Sequence, residues 1–216
     1  MEIYKKYLDN NSGNTIKIFY DELPENPFID LNDPIKFYFC HRNYEISEKD
    51  YNFTSYDDLI IKMINDILPG IYNKFKFVED CYNGIINDKL FDYFNKFAYI
   101  LPVYMYDHSG ITINTIPFSC KFDSGKVGYI VLLKKHLKDY SKTLPKKALE
   151  KSEKACKILK DYITCIDDYI TGNCYGFHVE NSDGEIIDSC YGFLGDCSTN
   201  GIFEHIGVQE KNLQEI

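Results

Sequence analysis

The chain has 216 residues, 44% of them hydrophobic and 16% aromatic, enough for a packed core and too apolar for a disordered segment. Its aromatics are 19 Tyr and 15 Phe with no Trp, a stock of rings with apolar bodies and polar tips that suits half-buried sheet faces and interfaces, though an AT-rich coding sequence would enrich Tyr as well. A net charge of −9 disfavours long-range attraction to nucleic acid or an anionic membrane; it fits either a solubilised cytoplasmic protein or one that meets a basic partner.

Eight cysteines at 40, 81, 120, 156, 165, 174, 190 and 197 include no C-x-x-C pair, which excludes zinc-ribbon and thioredoxin-like sites. The start, MEIYKKYLDNNSGN, lacks the apolar stretch of a signal peptide, and no apolar run is long enough to cross a membrane. Reduced, mostly buried thiols in the cytosol are therefore expected.

In chain order, residues 1–14 are expected to be a frayed end. TIKIFYDE (15–22) reads as a strand. The Pro-, Asn- and Asp-rich DELPENPFIDLNDP reads as a loop. IKFYFCHRNYEI (35–46) is a second strand, its aromatic first half covered on both faces. The period then changes. In residues 54–70, Thr54 or Ser55 can cap, acidic residues fill the first turn, and Leu59, Ile60, Met63, Ile64 and Ile67 share one face. Pro69-Gly70 ends that helix. Residues 72–97 read as helical in parts, broken near Asn83-Gly84. Three strands follow: AYILPVYMYD (98–107), ITINTIPF (111–118) and KVGYIVLLKK (126–135). A long helix is expected over 145–171, opened by Pro145 and ended by Gly172. Asp167 and Asp168 near its end oppose its dipole, so each meets a positive group or stays solvated. NCYGFHVENSDGEIIDSCYGF is a hairpin about Ser182-Asp183-Gly184. The tail from Leu194, and 205–216 above all, is expected to fray. The sum is one α+β domain spanning residues 1–216, with a mainly antiparallel sheet and helices packed on one side.

The densest chemistry lies between 100 and 131. Cys120 is the candidate nucleophile, with His108 or His41 as base and Asp107 or Asp123 to orient it. A simple hairpin turning at Ser109-Gly110 places His108 at the tip and Cys120 at the far end, roughly 20 Å away. That geometry weighs against a dyad. A metal site built from His41, His108, Cys40, Cys120, Asp107 and Asp123 has the ligand types but no ligand spacing, so no metal and no cofactor are called for. DSGKVG lacks the spacing of a phosphate loop and leads into a strand. It and DHSG read better as turns, with Asp107 accepting backbone hydrogen bonds. C-Y-G-F at 174–177 and again at 190–193 suggests two strand segments rather than a redox pair.

Taken together, ENP, FYFCHRNYEIS, LPVYMYDHSGITINTIPFSCKFDSGKVGYIV, YITGNCYGFHVE and EIIDSCYGF resemble, in order, a family of proteins carried by bacterial phages, plasmids and integrated elements. The resemblance covers residues 21–193 and matches at Asp107, His108, Ser109, Gly110, Cys120, Asp123, Ser124 and Gly125. It departs at Asn43, Lys121, Phe122, Lys126 and Tyr191, where the family pattern has Arg, Pro, Trp, Gln and Trp. The family carries no catalytic assignment. It implies a mobile-element accessory protein, and proteins of that setting often inhibit a host defence complex by direct binding, as anti-CRISPR or antirestriction proteins do. On that reading the protein is more an interaction protein than an enzyme. A basic host defence protein or guide-RNA effector complex is the expected partner, with no direct contact to nucleic acid. Binding or turn roles fall to Ser109, Gly110, Asp123, Ser124, Gly125, His41, Arg42, Tyr104 and Tyr106. The alternatives are a small hydrolase using Cys120, His108 and Asp107, and a non-enzymatic regulatory protein.

Overall fold

The computed structural model describes residues 2–27, 34–69, 88–140 and 146–216. Cys81, Pro145 and the helical expectation for 72–87 lie outside them. Contacts divide the chain into two compact units. A terminal unit comprises Met1–Pro27 and Cys165–Ile216, and a central unit comprises Phe28–Thr164.

The terminal unit is a five-stranded sheet. Its strands are β1 (Ile3–Asp9), β2 (Thr15–Tyr20), β8 (Cys174–Glu180), β9 (Ile186–Leu194) and β10 (Leu213–Glu215), in the order β10-β1-β2-β8-β9. All its pairings are antiparallel. Period-two alternation fixes the register: Ile16 and Ile18 on β2 face the same way as Tyr175, Phe177 and Val179 on β8, and all are buried. A short helix, Ile202–Ile206, adds Ile202 and Phe203 to that core. The ends expected to fray are thus ordered. Tyr7 is buried in the core cluster, and β10 pairs with β1 at Tyr7 through Asp9. Burying these flanks gives them the tertiary support that their weak local signal lacks.

The central unit holds β3 (Ile35–Cys40), β4 (Asn52–Phe53), β5 (Ala98–Asp107), β6 (Ile111–Asn114) and β7 (Ser124–Leu133), in the order β4-β3-β7-β5-β6. Among the described residues only the short β3–β4 pair is parallel. Helices α1 (Tyr56–Ile67) and α2 (Asp88–Phe97) pack on one face, where the five predicted α1 residues join Leu90, Phe94, Tyr38, Tyr129 and Val131. Ser55 stands at the N-cap position of α1 but makes no side-chain cap bond. Phe37, Phe39, Ile130 and Leu132, on the other face, are buried too, as the aromatic-rich strand predicts. The helix α3 (Ala148–Ile170) belongs to the central unit through Thr164 and to the terminal unit from Cys165. The α+β class with mainly antiparallel pairing therefore holds, with the strands shared between two sheets. Among the described residues no helix is long and apolar enough to cross a membrane.

Candidate functional site

The expected separation of Cys120 from His108 does not occur. β6 ends at Asn114, four residues before the predicted end of its strand. The Asn114 side chain accepts the Ile116 N–H at 3.1 Å, and Pro117 has no N–H for a ladder, so the chain leaves the sheet there. Residues 115–123 fold back along the hairpin. Ser124 Oγ donates to the Cys120 carbonyl, and the Asp107 N–H donates to the Asp123 carbonyl at 2.8 Å. β7 then begins at Ser124 opposite Tyr106, with Gly125 opposite Met105. Cys120 and His108 consequently share one end of the sheet.

The turn before β6 is tight. Ser109 has φ +59° and Gly110 φ +139°, and the His108 N–H donates to the Gly110 carbonyl at 3.1 Å. Asp123 stands at the centre of the cluster. Its Oδ2 accepts from Cys120 Sγ at 3.5 Å and lies 3.6 Å from His108 Nδ1. His108 and Asp123 are 64% and 39% exposed at the side chain, so this is an open surface cluster rather than a dry site. A second group flanks it. Tyr44 Oη donates to Asp107 Oδ1 at 3.3 Å and stacks on the His41 ring, centroids 5.0 Å apart and planes at 22°. His41 Nδ1 accepts the Asn43 N–H at 3.2 Å. Tyr106 lies 5.8 Å from Phe118 and 6.1 Å from His108, ring to ring. Arg42 is exposed, and Tyr104 pairs across the sheet with Asn114 and Lys126.

This arrangement bears on the cysteine hypothesis in both directions. It unites Cys120, His108 and Asp123, but the thiol donates to the carboxylate and not to an imidazole, whereas a cysteine nucleophile needs a base that takes its proton. The 3.6 Å nitrogen–oxygen distance is also beyond hydrogen-bond length. Asp107 is held by Tyr44 instead of orienting His108. Cys40 packs into the helix-facing core, where burial and then Asp58 push its thiol pKa up. Among the described residues no group of three His, Cys, Asp or Glu side chains is arranged to hold a metal ion.

A different feature emerges once the units are known. The terminal unit carries 15 acidic side chains against four lysines, net −11, while the central unit has 20 cations and 18 acids, net +2. The net negative charge of the protein thus arises entirely from one unit. One of the four lysines, Lys17, is already paired with Glu180 at 2.5 Å. Asp183, Glu185 and Asp188 are exposed on the β8–β9 hairpin, beside Ile186 and Ile187, which are more than half exposed. Asn181 Oδ1 accepts the Asp183 and Glu185 N–H groups at 3.0 and 2.9 Å, fixing the turn.

Beside β9 a cavity of about 640 Å³ is lined by Asp21, Glu25, Leu23, Tyr191 and Cys174. Leu23 is 90% exposed. Burial, and then the Asp21 carboxylate, push the Cys174 thiol up to about 11. Tyr191 packs over Gly176, where an added Cβ would overlap its ring, and its hydroxyl meets His178 Nε2 at 2.6 Å. Gly176 is therefore what lets this tyrosine stand fixed beside the carboxylates. The sequence carries the signal as a sparse count of lysines at both ends of the chain, but the ends must be known to share a sheet before the counts can be pooled.

No protein-family model, curated protein or solved structure matches the chain.

Proposed function

We propose that this is a mobile-element accessory protein that inhibits a host defence nucleoprotein complex by direct binding, with its acidic terminal unit set against a basic groove. The observation that carries the reading is the charge segregation, a net −11 confined to one compact unit. Such a surface steers toward a basic partner and repels nucleic acid. The cavity beside β9 supplies a recognition element of the right chemistry. Asp21 and Glu25 can pair a lysine or arginine head while Leu23 and Tyr191 cover its apolar stem. The resemblance to phage and plasmid proteins supplies the setting. The cluster at Cys120 serves on this reading to hold the turns 107–110 and 115–123 together.

The test is capture from host lysate at low and high salt, followed by a nucleic-acid cleavage assay on the recovered guide-RNA effector or restriction complex. Salt-released binding and blocked cleavage are expected. Replacing Asp183, Glu185 and Asp188 together by Lys weakens inhibition at least about tenfold, since like-charge juxtaposition costs several kcal/mol. Cys120→Ser leaves inhibition unchanged. Recovery of no defence complex from a host that encodes one, or inhibition that follows Cys120 and not the hairpin charges, refutes the reading.

A further inference from the structure

The lysines are as unevenly placed as the carboxylates. Residues 134–160 hold ten lysines and three acidic residues, in a chain that is otherwise strongly acidic. Part of that segment encloses a cavity of about 540 Å³ in the central unit, between the start of β5, the end of β7 and the first turns of α3. Lys134, Lys146 and Lys151 line it, with Tyr99, Ser152 and Cys156, and among the described residues no carboxylate lines it.

The three ammonium groups differ in circumstance. Lys134 Nζ donates to the Asn95 carbonyl at 2.6 Å and lies 5.2 Å from the centroid of the Tyr99 ring. Lys146 and Lys151 have no ion-pair partner among the described residues, although Lys147 next to them is 3.6 Å from Glu150 and Lys157 is 2.7 Å from Asp161. Lys151 and Ser152 are half-buried at the cavity wall. Elsewhere in this protein lysines find acids readily: Lys17, Lys36 and Lys62 all do. Three cations around one concavity repel one another, and a multiply charged anion relieves that repulsion.

We infer that this cavity is a binding site for the phosphate group of a small ligand of about nucleotide size. Lysine is a point-charge donor suited to phosphate, and the Ser152 hydroxyl adds a neutral donor beside it. The opening turn of α3 contributes its positive end at Ala148, a secondary aid to the lysines. The volume falls within the range of small-molecule sites, and the half-buried Tyr99 ring offers a stacking face for a base. A compact anion also fits the charge balance better than a polymer. The remainder of the chain, outside 134–160, carries 30 acidic residues against 14 basic ones and would repel a long polyanion. The site belongs to the central unit and the acidic surface to the terminal unit, and the site does not depend on the reading given for that surface.

The experiment is calorimetric titration of the full chain at low salt with four probes: inorganic phosphate, pyrophosphate, ADP and a short single-stranded oligonucleotide. Saturable binding of pyrophosphate and ADP is expected, weakened by added salt. The double variant Lys146→Gln, Lys151→Gln, whose residues lie at the surface and half-buried, keeps its melting temperature and loses about tenfold or more in affinity, the loss of charge-assisted hydrogen bonds. ADP bound more tightly than pyrophosphate, with the difference removed by Tyr99→Leu, identifies a nucleotide. Equal affinities identify the phosphate chain alone. Either supports the site. No saturation by about 1 mM of any phosphate probe, the weak end of specific binding, overturns it. So does binding that the double variant leaves intact, or binding of the oligonucleotide alone.

Discussion

Gly128 is the residue on which the geometry around Cys120 depends. It lies in the central strand β7, opposite Phe39 on β3 and Val103 on β5. Between this point and Lys126 the β5–β7 register shifts, so the strand carries a bulge that sets Ser124 opposite Tyr106. The φ of Gly128 is +156°. A Cβ placed there would overlap the Tyr38 carbonyl oxygen and stand 3.0 Å from its carbon and 3.2 Å from the Phe39 Cα. These are backbone atoms of a neighbouring strand and cannot rotate away as a side chain can. Gly128→Ala therefore imposes overpacking of about 1–3 kcal/mol. Backbone strain adds about 1–3 kcal/mol, giving a loss of about 2–6 kcal/mol in all. In urea denaturation followed by circular dichroism, the midpoint falls with little change in slope. Gly125→Ala is the control. It lies on the same strand, a Cβ there meets nothing within 4 Å, and its φ is not positive. Its effect stays within about 0.5 kcal/mol, the range of ordinary surface changes. A Gly128→Ala loss as small as that of the control refutes the close β3–β7 approach and the bulge built on it.

Two further predictions concern carboxylates. Asp9 is buried at the β1–β2 turn, where Oδ1 accepts the Asn11 N–H and Oδ2 accepts both the N–H and the hydroxyl of Ser12. The Ser12 hydroxyl, then the Asn11 N–H, hold its carboxyl below the usual 3.8. The unfolded chain takes up this proton first on acidification, so the stabilisation is present above about pH 4 and is lost as pH falls through the lowered folded value. Asp9→Ala should cost about 1–3 kcal/mol at neutral pH and progressively less below about pH 4, read as the difference between urea midpoints. Asp168 is the opposite case. Burial, with a smaller contribution from the Asp167 charge, raises its carboxyl against the opposing hydrogen bond from Asn173. It also sits at the negative end of α3. Asp168→Asn, which keeps an oxygen for Asn173, should gain about 0.3–1 kcal/mol at neutral pH. Because the folded pKa lies above the unfolded one, the gain is lost as pH falls through the raised folded value and is gone below about 4, and a variant less stable than the parent at neutral pH contradicts it.

Much of the local structure is written in short-range pattern. The α1 face at Leu59, Ile60, Met63, Ile64 and Ile67 and the strand 98–107 follow from periodicities of 3.6 and 2 residues. The turn at Asp183-Gly184 follows from φ preference. Each depends on neighbours within a few residues, which one sequence displays in full. What the sequence withheld depends on long-range pairing. β1 and β10 have weak local signals: β1 is held between β2 and β10, and β10 exists because β1 gives it a hydrogen-bonding partner across most of the chain. Cys120 comes to the His108 end of the sheet, both beside Asp123, because a nine-residue return, started by Asn114 and Pro117, replaces the tight hairpin that strand length alone suggests. The acidic unit and the lysine-lined cavity are likewise invisible to a single net charge. Charge is a sum over residues, and only the tertiary structure decides which residues are summed together.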